Sequence, residues 1–140
     1  MAGKRIKGIT IEIDGDARKL TDEIKKAENE IKTANANLRD INKLLKLDPK
    51  NVELLTQKEK ELNDAIKGTE EKLKQEKKAL EQLREGPQTE NTIRQQEALE
   101  REIVETEGAL KSLKNEYKDF GSVAQQQTKI AAQEMQAAGR

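Results

Sequence analysis

The 140-residue chain contains no cysteine and no histidine. Without cysteine there can be no disulfide and no thiolate metal ligand, and the redox compartment leaves no trace. Without imidazole, the two serines, Ser112 and Ser122, have no base to activate them as nucleophiles. Aromatics are almost absent as well, one Tyr and one Phe with no Trp, which removes the stacking platforms that hold single-stranded nucleic acid. No glycine-rich loop of phosphate-cradling pattern occurs. No apolar run approaches the roughly 20 residues that span a bilayer. The opening MAGKRIKGI is basic but lacks the apolar core of a secretory signal. These absences leave no cofactor to expect, no small-molecule substrate, no nucleic-acid site, no membrane segment and no enzyme.

Charge of one sign is also missing. Lys plus Arg equal Asp plus Glu at 27 each, and the balance holds by segment: 11 basic against 8 acidic in residues 1–47, 9 against 10 in 48–86, and 7 against 9 in 87–140. The Lys4, Arg5, Lys7 cluster and the Lys77-Lys78 pair are too sparse for a nucleic-acid footprint. With 39% charged and 33% hydrophobic residues, the chain is too polar for a thick globular core. It is not too polar for long helices, because a coiled-coil seam buries only two positions in seven. Regular heptads argue against disorder.

What is present is periodicity. Across residues 20–45, apolar residues recur as Leu20, Ile24, Ala27, Ile31, Ala34, Leu38, Ile41 and Leu45, in alternating steps of four and three without a slip. An average step of 3.5 keeps one narrow stripe turned toward a partner helix. At 1.5 Å per residue this first helix is about 45 Å long. Asp16 is suited to cap its start, and Asp14-Gly15-Asp16 reads as a turn, since the remaining carboxylates of a calcium loop are missing. A second helix carries the seam Val52, Leu55, Glu59, Leu62, Ile66, Thr69, Leu73, Glu76, Leu80, Leu83. Its polar members predict loose packing or rotation of Glu59 and Glu76 to solvent. A third carries Gln96, Leu99, Ile103, Thr106, Leu110, Leu113, Tyr117 and Phe120, with Thr89 or Thr92 as its cap and Thr92 with Gln95 at capping-box spacing.

The corner between the first two helices is short. Asp48 can accept from free amides of the next turn, Pro49 fits the first helical position, and Leu47 with Val52 stand at hydrophobic-staple spacing. So short a connection favours an antiparallel helical hairpin. Glu85-Gly86-Pro87 ends the second helix. Before the first helix, residues 4–13 alternate, with Ile9, Ile11 and Ile13 on one side; Ile6 opens the same stretch. That is the pattern of a half-buried strand. With no second strand in the chain, it must fray, pair with another copy, or dock on a partner's sheet edge.

The expected fold is therefore all-α, with long coiled-coil helices arranged as a helical hairpin plus a third long helix, and a short N-terminal β-strand. The units are residues 1–15 (strand and turn), 16–47, 48–86 and 87–120 (helices one to three), and 121–140, an Ala/Gln-rich start of a further helical region that reads as truncated. Whether the helices fold back or run end to end stays open. So does the oligomeric state, a trimer or another homo-oligomer being equally compatible with the mixed seam.

RIKGITIEIDGDARKL and LRDINKLLKLDPKNVELLTQKEKELNDAI resemble the N-terminal region of tail tape measure proteins from phages of Gram-positive bacteria. ETEGALKSLKNEYKDFGSVAQQQTKIAA is similar to the way such proteins continue into their helical body. The most specific piece is the run from Asn42 to Leu55, which is the corner described above. The resemblance implies a structural protein of the virion tail, assembled in the bacterial host cytoplasm. Its length would set tail length, and its partners would be copies of itself, other tail proteins or tail assembly chaperones. It further implies that these residues are an N-terminal fragment of a far longer chain. A stand-alone coiled-coil adaptor or chaperone-like assembly protein is the alternative. A secreted helical hairpin is a weaker one, since the Trp-x-Gly bend of that class is absent.

Overall fold

The computed structural model describes the backbone of residues 4–6, 9–11 and 15–121, and side chains from residue 19 to 121. Three long helices, α1 (Gly15–Leu47), α2 (Val52–Glu85) and α3 (Glu90–Phe120), make up nearly all of it, and the fold is all-α. The expected Ala/Gln-rich continuation over 122–140 lies outside the described residues.

The helices fold back on one another. One apolar cluster joins Leu20 and Ile24 of α1 to Ala79, Leu80 and Leu83 of α2 and to Leu99 and Ile103 of α3. A second joins Leu38 of α1 to Leu55 and Leu62 of α2 and Phe120 of α3, with Leu45, Leu113 and Tyr117 packed alongside. Helix α1 thus starts at the first cluster and ends at the second, α2 runs back, and α3 returns. Helix α2 is the middle element, contacting both α1 and α3.

This placement explains which seam positions are buried. Leu20, Ile24, Ala27, Ala34, Leu38 and Ile41 of α1 are buried, and Ile31 and Leu45 are half-buried. Leu55, Leu62, Leu80 and Leu83 of α2 are buried, while Ile66 and Leu73 are half-buried and Val52 is exposed. In α3, Leu99, Ile103 and Phe120 are buried, and Leu110, Leu113 and Tyr117 are half-buried. A helix flanked on two sides needs a wider buried arc than two positions in seven. Ala65, Gly68, Lys72, Gln75 and Ala79 of α2 are accordingly buried although no seam pattern marks them.

Helices α1 and α2 approach closely at Gly68. A Cβ there would lie 3.1 Å from Ile31 Cγ1 and 3.6 Å from the Ala27 carbonyl. Glycine mid-helix sacrifices about 1 kcal/mol of helix propensity relative to alanine, and here it lets α1 and α2 close on each other.

At the corner the structure departs from expectation. Helix α2 starts at Val52, not at Pro49, because its N-cap is Asn51, whose side chain accepts from Leu54 N–H at 3.1 Å. Residues 48–51 form a turn in which Asn51 N–H donates to the Asp48 carbonyl at 3.2 Å. Asn51 Nδ2 also donates to Asp48 Oδ2 at 3.1 Å. Asp48 therefore braces the cap rather than being it. Moving the cap by three residues removes the staple register, and Leu47 is left 85% and Val52 44% exposed.

At the second corner Thr89 caps α3 and forms a capping box with Thr92, in place of the Thr92–Gln95 pairing. Gln88 Nε2 lies 3.0, 3.0 and 2.8 Å from the carbonyls of Leu83, Arg84 and Gly86, which are among the free acceptors at the end of α2. Gln96, read as a seam residue, donates to the Leu83 carbonyl at 3.2 Å and to Gln88 Oε1 at 2.8 Å.

The N-terminal stretch also differs from a lone strand. β1 (Lys4–Ile6) and β2 (Ile9–Ile11) pair antiparallel, with Lys4 opposite Ile11, Arg5 opposite Thr10 and Ile6 opposite Ile9. The ladder uses the facing backbone groups of each strand and leaves the outer edge of each available for pairing. Ile13 lies outside the described residues.

Three substitutions test this architecture by urea unfolding. Gly68→Leu should destabilise the chain by about 1–3 kcal/mol through overpacking against Ile31. Gly121, which follows α3 with φ 76°, should lose about 1 kcal/mol on change to Ala. Gly86 has φ −85°, so Gly86→Ala should leave stability nearly unchanged.

Candidate functional site: a buried polar layer

Between the two apolar clusters the bundle carries a layer of polar side chains. Thr69, Lys72, Gln75 and Glu76 from α2 and Glu102 and Thr106 from α3 are all buried. The heptad pattern explains Thr69, Glu76 and Thr106, which stand at seam positions. Lys72, Gln75 and Glu102 are drawn in because α2 and α3 face each other over a broad contact.

The threonines satisfy themselves locally. Thr69 Oγ1 donates to the Ala65 carbonyl at 2.7 Å, and Thr106 Oγ1 to the Glu102 carbonyl at 2.9 Å. Gln75 Nε2 donates to Glu71 Oε1 at 2.7 Å. Lys72 Nζ lies 3.9 Å from Glu102 Oε1, with both side chains only 9% exposed. At that separation the pair is held by charge more than by a hydrogen bond.

Glu76 is the outlier. It is 0% exposed, and neither carboxylate oxygen has a hydrogen-bond donor. Thr106 faces it, but that hydroxyl has one proton and directs it to the Glu102 carbonyl. Burial pushes the Glu76 carboxyl up to about 7, opposed by the Thr106 hydroxyl and the Lys72 ammonium and reinforced by the carboxylates of Glu102 and Glu28. Of the two expectations, loose packing or rotation to solvent, rotation fails for Glu76, because α3 covers that face of α2. Glu59, its counterpart nearer the corner, is half-buried and accepts from Tyr117 Oη at 3.2 Å. That contact ties α2 to α3 near Phe120, whose ring lies 5.2 Å from Lys58 Nζ.

The remaining polar contacts are peripheral. Arg84 meets Glu100 at 2.9 Å across the α2–α3 corner, both side chains about half exposed, and such pairs contribute about 0–1 kcal/mol. Among the described residues no group of three or more His, Asp or Glu is gathered to hold a metal, and no helix is long and apolar enough to cross a membrane. An open trough of about 540 Å³ runs over Glu28, Ile31, Asn35, Leu38, Lys72 and Glu116, which places the Lys72 end of the polar layer next to solvent. The exposed apolar residues Leu44, Leu47 and Val52 lie at or beside the first corner, while Ile93 and Val104 stand on α3.

Most of the sequence-predicted seam residues meet in the two apolar clusters or pack against them. Ile6, Ile9 and Ile11 belong to a ladder whose β1 lies beside α1 and whose β2 lies beside α3. Lys72 and Glu102 went unnoticed in the sequence, where lysine and glutamate on a charged helix read as solvated. Their one signal was position, four residues before a polar seam member in each case.

No protein-family model, curated protein or solved structure matches this chain.

Removing Lys72 leaves the Glu76 and Glu102 carboxylates without their cation. Lys72→Met should therefore cost about 2–4 kcal/mol in urea unfolding at pH 7. Glu100→Gln, which breaks an exposed pair, should cost less than about 1 kcal/mol.

Proposed function

We propose that this chain is a structural module of a phage tail, the N-terminal part of a tape measure protein, acting through helical packing and partner docking. The observation that carries the reading is the antiparallel α1–α2 hairpin closed by residues 48–51, because the run around that corner is the most specific part of the resemblance. In this reading α1 and α2 pack as an antiparallel coiled coil. The module works by length and contact rather than by chemistry at a pocket.

Partner binding is assigned to surfaces the bundle leaves open. The seam of α1 packs against α2 within the chain, so copies of a folded chain would meet elsewhere. Leu44, Leu47 and Val52, exposed at or beside the corner, are the apolar residues assigned to this contact. Tail proteins, assembly chaperones and further copies are the partners proposed, with the virion tail as the final location. The same exposed corner favours a second reading, a stand-alone adaptor that hands a tail component on during assembly.

Peptide mapping of purified phage particles by mass spectrometry separates the two. Peptides from residues 20–45 should be found in tails, on a polypeptide many times longer than the 140 residues here. Their absence from tails, with a free chain in the host cytoplasm, would overturn the tape-measure reading and favour the adaptor.

A further inference from the structure

Along the middle of the bundle, α3 meets the α1–α2 hairpin through two apolar clusters and the polar layer between them. The apolar parts do not respond to solvent conditions in a graded way; the layer contains one group that can. Glu76 of α2 is fully buried with both oxygens lacking donors, and the hydroxyl facing it, Thr106 of α3, has its proton directed to the Glu102 carbonyl. A neutral Glu76 resolves this conflict. Its own O–H can donate to a lone pair of Thr106 Oγ1, so that one proton links α2 to α3 and one of the two Glu76 oxygens gains a partner.

We propose that Glu76, Lys72, Glu102 and Thr106 form a proton-operated catch, which holds α3 against the hairpin when Glu76 is neutral and loosens it when Glu76 ionises. The proposal does not depend on the phage-tail reading. The charged groups facing Glu76 come from all three helices: Glu28 on α1, Lys72 on α2 and Glu102 on α3. Two of the three are carboxylates, and the single cation already lies 3.9 Å from Glu102. An ionised Glu76 therefore meets like charge from both flanking helices, without a donor of its own. Lys72 also lines the open trough beside the layer, which gives protons a short way in.

The carboxyl of Glu76 is raised from its ordinary value of 4.5 to about 7, so the catch operates near neutral pH. The stabilisation is fully present below about 4.5, where both folded and unfolded chains are protonated. It declines as pH rises, because the unfolded chain releases the proton first, and it is gone once pH passes about 7.

The absence of cysteine permits a clean test on the full chain. Spin labels on Lys32→Cys of α1 and Lys111→Cys of α3, both exposed, report the α1–α3 distance. It should lengthen from pH 5 to pH 8 in the otherwise unchanged chain and stay short at both in Glu76→Gln, whose amide is neutral throughout. Over the same range the unfolding constant in urea should rise roughly 70-fold relative to that of Glu76→Gln. A distance that does not change, or changes equally in Glu76→Gln, overturns the catch. Should Glu76→Gln fail to fold, carboxyl-carbon NMR of the unsubstituted protein decides: a Glu76 midpoint near 7 supports the proposal, and one at the ordinary carboxylate value overturns it.

Discussion

The close approach of α1 and α2 is the constraint from which the rest of the structure follows. Alanines at 27 and 34 on α1 and at 65 and 79 on α2, with Gly68 between the latter, are buried and present little side chain. Small residues let helix backbones approach, and dispersion contacts rise steeply as the gap closes. Once α2 is set against α1 in this way, its adjoining face is free to receive α3. The leucines at 62, 80 and 83 and Glu76 are buried with the help of a third helix. A long α3 paired with a two-helix hairpin spreads a modest apolar content over three elements, which is how a chain with 39% charged residues encloses any core at all.

That economy has a consequence in the middle of the bundle. The apolar residues suffice for a cluster at each end, and the space between is filled by threonine, glutamine, lysine and glutamate. Buried polar groups are tolerated when they are hydrogen-bonded; Thr69, Gln75 and Thr106 each donate such a bond, and Lys72 is paired with Glu102. Glu76 is not, and it stands where α2 and α3 meet. A buried ion pair contributes little net stability compared with apolar packing, but each member is costly to strip of its partner. The layer therefore makes the α2–α3 contact conditional on charge state, whereas the α1–α2 contact, centred on glycine and alanine, depends on shape.

The functional reading rests on architecture in the same way. An elongated helical hairpin with short corners, local caps and exposed leucines at one end is suited to being packed against other proteins in a row. Neither corner is loose: Asn51 and Asp48 brace one, and Gln88, Thr89, Thr92 and Gln96 tie the other. Rigid corners transmit helix direction, which an assembly module needs more than it needs a pocket.

The α-helical nature of the described residues, the three helices among them, the unbroken stripe on α1 and the position of the first corner were legible in the sequence, because heptad spacing and proline–glycine punctuation are local properties. The seam of α1 read cleanly for the further reason that α1 meets chiefly one neighbour, α2. Local chemistry misplaced the N-cap, since Asp48 and Asn51 are both good caps three residues apart and the geometry of the turn chooses between them. It also placed one strand at the N-terminus where β1 and β2 form an internal ladder. Helix α2 could not be read from a two-in-seven pattern, because a helix between two partners buries a wider arc. Whether Lys72 and Glu102 are solvated or enclosed, and whether Glu76 meets water or Thr106, depends on where α3 comes to lie. The sequence by itself determined the helices and their main stripe; only the tertiary structure decided which charges they enclose, because burial is a property of neighbours that lie far apart along the chain.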